Sequence, residues 1–557
     1  MSCRTPGPTL DGVLGPGEVA RAAERQAYRR LAVGPGAPRV RRDELGTGGR
    51  RLSSSRSLAF LAHVTDLQLA DVQSPGRFEF MEAYRGRPGA DALIPAQRPQ
   101  EALCAHAMCS MVHELGRHLE SRETGARLEL AVCTGDSLDN AQWNELEWYL
   151  ALLSGGTVGT EAGGSYEGVQ RSDWPGDHYW KPDDVAGRFQ LELGFPTLRG
   201  LMDRAIAPFG AAGLPLGWIS CYGNHDGLPF GEVVPTPAYR ALVTGDRKAV
   251  ALPSGLEVLG RQDALYAAPE QFLAGTALSV RPDGGRRIVG RSEFVAAHLA
   301  ASGWPPGHGF SSQNLAEGTA YGTVDLGPSV RLILLDTTNM DGDFQGSLGT
   351  RQLHWLEEQL AAVHSRYRMP NGKEARTPHE DRLVILASHH GLASLTNLRH
   401  LDAGMEPDQP RVGRDAVEAL LHRFPNVVLW LNGHRHVNEI SLRPSPAKDG
   451  SAFVDIATCS IADWPSQARL VELVANRDGT LSVLTEMLDH GAPPVPEDAT
   501  TAMANMAALH RELAANVPGA GFGSRLEGRP SDRNVELVLR SPFPVMSDDG
   551  AVFPAWT

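Results

Sequence analysis

The chain of 557 residues has little that would place it in a membrane or on nucleic acid. No apolar run approaches the roughly 18 residues that a membrane-spanning helix takes. Basic residues are in the minority, 52 Lys+Arg against 66 Asp+Glu, for a formal net charge of −14. So acidic a chain gains little from general attraction to a phosphate backbone, and stripes of Arg or Lys interleaved with aromatics are missing as well. Its six cysteines (Cys3, Cys104, Cys109, Cys133, Cys221, Cys459) form no C-x-x-C pair and no metal-ligand spacing, so all six read as reduced and structural. Internal repeats and low-complexity tracts are absent. The opening MSCRTPGPTLDG has no basic head followed by an apolar core. Arg50-Arg51-Leu52-Ser53-Ser54-Ser55 has the outline of a twin-arginine export signal, but the SLAFLA after it must form a strand of the fold, so the expected compartment is the cytoplasm.

What the chain does have is a series of short apolar runs, each closed by a polar cluster: SLAFLAHVTD, RLELAVCTGD, LGWISCYGNHD, RLVILASHHG and NVVLWLNGHRH. Such runs read as buried strands of an α/β sheet. Ligands collect at the carboxyl ends of strands in such sheets. Asp66, Asp136, Asn224-His225, His389-His390 and His434-x-His436 therefore arrive at one edge. Carboxylate, amide and imidazole together make a ligand repertoire suited to a pair of divalent metals.

The ordered series resembles the calcineurin-like metallophosphoesterase superfamily, whose pattern runs D-x-H, GD-x-x-DN, GNH-D/E, H, then GH-x-H. Four of the five blocks match, over roughly Ser57 to Asp489; the first reads Asp66-Leu67-Gln68, with Gln in place of His. The resemblance implies a layered α/β sandwich of two β-sheets flanked by helices, and hydrolysis of a small organic phosphoester, mono- or diester, by a metal-bridging hydroxide. By resemblance Asp136 bridges the metals; Asp66 and His436 bind the first with it, and Asn224, His389 and His434 the second. His389 is favoured over His390 because it directly follows the strand, leaving His390 for substrate. His225 is the expected proton donor to the leaving oxygen, with Asp226 orienting its ring. Asn140, Arg435 and His308 are further candidates for substrate contact, and Lys181 for a phosphate.

Gln68 offers an oxygen where the family offers nitrogen. If it coordinates, the first site is harder, and the expected ions are manganese, with iron, zinc, magnesium or calcium as alternatives; otherwise it bonds only to a metal-bound water. Asp71 nearby reads as a cap or a compensating ligand, and Asp336, ending VRLILLD, as a group near the site or behind a ligating His. A nuclease on the same scaffold and a non-catalytic binding module that kept the fold are the competing functions; the acidic balance opposes the first, and retention of the motif residues the second.

The expected organisation is an N-terminal arm over 1–56, a catalytic domain over 57–490 with insertions at 140–216 and 227–321, and a C-terminal extension over 491–557 packed on that domain. Helices are expected at Gly17–Ala32, Gln97–Leu119, Arg351–His364 and Thr500–Ala515, and paired strands at Ala452–Ser460 and Arg469–Glu486, the latter broken by an Asp478-Gly479 turn. The insertions carry Trp174, Trp180 and Trp304, read either as insertion core or as a surface that stacks on substrate.

Overall fold

A computed structural model describes residues 7–46, 55–88, 97–159, 164–401, 404–447, 451–496, 502–546 and 550–555. Cys3 and the Arg50–Ser54 stretch lie outside them. Fifteen strands are used below: β1 (Gly12–Arg21), β2 (Tyr28–Pro35), β3 (Val40–Leu45), β4 (Arg56–Val64), β5 (Leu130–Cys133), β6 (Gly217–Ser220), β7 (Gly322–Leu326), β8 (Val330–Leu335), β9 (Leu383–Ser388), β10 (Val427–Asn432), β11 (Glu439–Pro444), β12 (Ala452–Ala457), β13 (Gln467–Ala475), β14 (Thr480–Asp489) and β15 (Val535–Arg540). The larger helices are α1 (Cys104–Leu115), α2 (Trp143–Ser154), α3 (Arg291–Ala300), α4 (Thr350–Ala361), α5 (Arg414–Leu421) and α6 (Met503–Ala515).

Two sheets stack face to face. One has seven strands in the order β3-β15-β14-β13-β4-β5-β6, the other six in the order β7-β8-β9-β10-β12-β11. In the centre of the second, Leu332 pairs with Ile385, Ile385 with Leu429 and Leu429 with Val454, all in parallel ladders. Those strands are buried on both faces, which is why they read as unbroken aliphatic runs. In β9, Leu383, Ile385 and Ala387 join the core between the sheets, whereas Val384 and Leu386 pack outward against Leu356 and Leu360 of α4 and Val417 and Leu420 of α5. The period of two thus feeds both cores from one strand. On the other side, Ala131 and Cys133 of β5 pack outward against Met108 of α1, Leu146 of α2 and Phe294 of α3. The result is a four-layer α/β/β/α sandwich. Emptying one such position, as in Leu386→Ala, would cost about 2–5 kcal/mol in transfer and cavity terms.

Several expectations need correction. Gly17–Ala32 is no helix: β1 and β2 pair antiparallel, with Leu14 opposite Val33 and Gly15 opposite Ala32. Gly12, Gly15, Pro16 and Gly17 weaken a helix, and burial of Leu14 and Leu31 against Trp464 and Ala514 favours the hairpin. The basic run Arg39–Arg42 enters β3, which pairs with β15, so the 491–557 stretch contributes a strand to the larger sheet as well as α6. β13 and β14 form the hairpin expected around Asp478-Gly479, but β12 belongs to the other sheet. The helix begun at Gln97 is shorter than expected, with a single-turn 3-10 segment (Glu101–Leu103) leading into α1. Cys104, Cys109, Cys133, Cys221 and Cys459 are buried free thiols. Among the described residues no helix is long and apolar enough to cross a membrane.

Candidate metal centre

Parallel strands β4, β5 and β6 of one sheet and β9 and β10 of the other end at the same edge, and the loops beyond them are stitched together. Asp66 N–H donates to the Gly135 carbonyl (3.1 Å), Gln68 N–H to the Asp136 carbonyl (2.9 Å) and Gly433 N–H to the His389 carbonyl (3.0 Å). The loops approach so closely that a Cβ on Gly433 would collide with Thr65 Oγ1 and Asp66 Oδ2, and one on Gly223 with the Asp136 backbone. Asp66, Gln68, Asp136, His434 and His436 all have left-handed backbones, φ between 44° and 66°. They make up half of the ten non-glycine residues so placed among those described. Each costs on the order of 1–3 kcal/mol, and such strain gathers where geometry is held for function.

Side-chain wiring leaves ligand atoms bare. The Asn224 amide donates through Nδ2 to the Gly231 carbonyl (3.0 Å), while its Oδ1 is buried without a partner. His389 donates through Nδ1 to the Thr134 carbonyl (2.8 Å), which turns Nε2 toward Asp136 Oδ2 at 3.0 Å. That approach is not aligned as a hydrogen bond, and His389 Nε2, Asp66 Oδ1 and Gln68 Oε1 are all buried without one. Unsatisfied buried polar atoms are rare enough that several converging on one point ask for an absent partner. Asp66, Asp136 and His389 offer atoms within 4.8 Å of one another, and so do His389, His390 and His434.

The electrostatics suit a bound cation. Burial opposes charge on His389, yet Asp136 and Asp66 hold its pKa up at about 9. Burial likewise opposes charge on His436, and Asp66 and Asp463 raise it to about 10. The carboxylates thus draw protons onto imidazoles where no other positive charge is present. Burial alone would raise the Asp136 carboxyl; the His389 and His225 rings beside it hold it below the usual carboxylate range. His434 is pushed well below its ordinary value by burial and by its neighbours His390 and His389, and so presents a neutral ring.

His390 sits in the second cluster but has no nitrogen to spare. Nδ1 is bonded to Thr337 Oγ1 (2.8 Å) and Nε2 to the Phe344 carbonyl (2.9 Å). Proximity puts it among the donors; its bonds take it out, and the bonds decide. It does not line the cleft either.

His225 N–H donates to Asp136 Oδ1 (2.9 Å), and its ring donates through Nδ1 to the Asp139 carbonyl (2.9 Å). Nε2 is then left toward the cleft, 3.4 Å from Gln68 Nε2 and 3.9 Å from Asp136 Oδ2. Asp226 does not orient that ring. In the short helical turn Asn224–Gly227 its carboxylate points back and accepts the N–H groups of Asp136 and Gly223 on Oδ2, and of Ser137 and Leu138 on Oδ1, at 2.8–3.1 Å. It moulds the Asp136 loop. Asp139, whose carbonyl does hold the ring, is itself gripped by buried Arg77 (2.5 Å), which also pairs with Glu79 and Glu101.

The remaining candidates divide. Arg435 lines the cleft and pairs with Glu439 at 3.0 Å. Asn140 is tied to Glu145 (2.7 Å) at the start of α2 and does not line it. His308 is stacked on Trp218 at 3.5 Å in the α3 layer and bonds the Trp218 carbonyl, away from the cleft. Lys181 is turned onto the Trp174 carbonyl (2.5 Å), and Trp180 is core, bonded to the Pro196 carbonyl. Trp174 is likewise buried, in a small cluster with Val169 and Tyr179, while Trp304 is 58% exposed and outside the cleft lining. Asp71 pairs with Arg286 (2.8 Å) and Asp336 with Arg291 (2.7 Å), so neither joins the centre. Asp463, which the sequence reading passed over, matters more: its Oδ2 accepts from His436 Nδ1 at 2.6 Å, leaving Nε2 3.2 Å from Asp66 Oδ1, and Arg98 holds its other oxygen at 3.0 Å. A carboxylate behind a ligating imidazole is a recurrent device for fixing tautomer and orientation.

No family model matches the chain, and no curated protein does. Among solved structures, a dimetal phosphatase from Danio rerio is similar at a TM-score of 0.35 and 12% identity, covering 78% of this chain and 97% of that one. A likeness at that TM-score carries no argument. The donor set does: carboxylate oxygens, the amide oxygens of Gln68 and Asn224, and imidazole nitrogens fit divalent ions. The cleft that opens over them has a volume of about 1140 Å³ and is lined by Gln68, Asp136, Asn224, His225, His434 and His436, among others.

Proposed function

We propose that this protein is a metal-dependent phosphoesterase acting on a small organic phosphoester. Asp66, Gln68, Asp136 and His436 would hold one divalent ion and Asp136, Asn224, His389 and His434 a second, with manganese the first candidate. When bound, such a pair supplies Lewis acidity and a lowered pKa for water at the point of attack. The single observation that carries the reading is the convergence of Asp66 Oδ1, Gln68 Oε1, Asn224 Oδ1 and His389 Nε2, buried and unpartnered, at one sheet edge.

The protein's own groups have distinct parts in this reading. Asp136 would be shared by the two positions; its Oδ1 is fixed by the His225 N–H and its Oδ2 faces His389. His225 keeps its Nδ1 proton on a carbonyl that can only accept, so Nε2 is the nitrogen that exchanges a proton with substrate. The natural recipient is the leaving oxygen, a role worth roughly 10²–10⁴ in rate. Asp226, outside the cleft lining, holds the Asp136 loop, and Asp463, at the lining, holds the His436 ring.

Asp136→Asn tests the assignment. The variant should lose both ions and all turnover of bis(p-nitrophenyl) phosphate and p-nitrophenyl phosphate while keeping its fold, by circular dichroism. Two retained metals with near-normal turnover would remove Asp136 from the bridge.

A further inference from the structure

The cleft is larger than hydrolysis of a phosphate alone calls for. At about 1140 Å³ it exceeds even the roughly 300–1,000 Å³ usual for a drug-sized ligand. One wall of its lining comes from three segments outside the motif loops: the turn between β1 and β2, the short helix Arg188–Leu193, and the loop after α6. They are joined by hydrogen bonds to backbone carbonyls. Arg25 N–H donates to the Glu192 carbonyl (2.9 Å), and Gln26 Nε2 to the Asn516 carbonyl (2.9 Å). Each segment brings an arginine: Arg25, Arg188 and Arg525.

These charges are not balanced where they stand. Arg25 and Arg188 share one oxygen of Glu192, at 3.2 and 3.3 Å, and Arg188 has only Asp177 besides, at 4.0 Å. Arg525 has no acidic partner among the described residues. In a chain with a net charge of −14, an arginine-rich wall in this large cleft is not a consequence of composition. No hydrogen bond or ion pair ties the three to the metal ligands among the described residues. The same segments also bring apolar lining, with Phe189, Leu193 and Pro518.

We propose that this wall is a subsite for a second anionic group, so that the substrate is a phosphoester whose alcohol part carries its own negative charge at a distance from the scissile phosphate. The proposal rests on the phosphoesterase reading of the metal end. Guanidinium groups recognise phosphate and carboxylate alike, through charge-assisted and often bidentate hydrogen bonds.

Two chromogenic esters that differ only in the distal charge test it: the p-nitrophenyl ester of thymidine 5′-monophosphate, and the same ester with a 3′-phosphate. A 3′-succinyl ester supplies a distal carboxylate in place of phosphate. The expected result for the native protein is a kcat/KM about tenfold higher for a charged tail than for the uncharged one, carried by KM. The ratio should fall toward one in Arg188→Gln/Arg525→Gln. Whichever charged tail is preferred then names the group. A ratio near one in the native protein, or an unchanged ratio in the double variant, would overturn the subsite. If neither ester is hydrolysed, the phosphoesterase reading fails, and calorimetry decides the subsite separately. Tighter binding of thymidine 3′,5′-bisphosphate than of thymidine 5′-monophosphate, lost in the double variant, would sustain it; equal binding would end it.

Discussion

Asp463→Asn probes how the metal end is held. Asp463 lies six residues beyond the end of β12 and touches none of the proposed ligands except His436. Its Oδ2 takes the Nδ1 proton of His436 at 2.6 Å, while Arg98 Nε (3.0 Å) and Gln100 Nε2 (3.3 Å) hold Oδ1 in place. The carboxylate has two effects on the ring: it fixes the tautomer that leaves Nε2 bare, and with Asp66 it raises the ring's basicity. Asparagine keeps the shape and one acceptor but loses the charge, so the ring is a weaker donor to metal and freer to turn. Losing such a partner usually costs about 10–100-fold in metal affinity or activity. The loss should fall on one ion of the two, because His389, the corresponding imidazole at the other position, is held by the Thr134 carbonyl instead. Two-site calorimetry on native and variant protein reads this directly, with thermal melts of the metal-free forms to check that the fold survives. Unchanged affinity for both ions would refute the role of Asp463, and loss of both together would point to collapse of the loop.

The other variants address the remaining parts. His225→Ala should leave metal content intact and cut turnover by roughly 10²–10⁴, with a smaller loss on good leaving groups than on poor ones; equal losses across a series of leaving-group pKa values would remove the proton-donor role. Gln68→His should tighten the first ion and move the preference from manganese toward zinc or iron. If affinities and metal order match the native protein, Gln68 is no ligand, and Asp66, Asp136 and His436 hold that ion without it.

The strands and the edge they share were legible because five aliphatic runs ended in groups that cannot be buried without partners. Periodicity located α4 and α6 for the same reason: their apolar faces recur at helical spacing. What the sequence hid depends on approach in space. Asp226 follows His225 directly and so looked like its partner, but a helical turn swings it toward three N–H groups of the Asp136 loop and that of Gly223 in its own. Asp463 carried no motif; only the folding of α1's approach segment brings Arg98 to it. His308 and Trp180 sit in aromatic-rich insertions open to reading as a substrate surface, yet each is consumed in packing. The β1–β2 hairpin was misread as a helix because Ala and Arg dominate its composition, whereas its conformation is set by what Leu14, Tyr28 and Leu31 cover.

Metal reconstitution bears most directly on the central claim. Protein stripped with chelator and reloaded with manganese, iron, zinc, magnesium or calcium singly would be assayed on bis(p-nitrophenyl) phosphate and p-nitrophenyl phosphate, with bound metal counted by elemental analysis. The account predicts two ions per chain, no hydrolysis in the stripped form, and turnover restored in step with the second ion, best with manganese. Hydrolysis by fully stripped protein, or two bound ions with no activity on either ester, would contradict it.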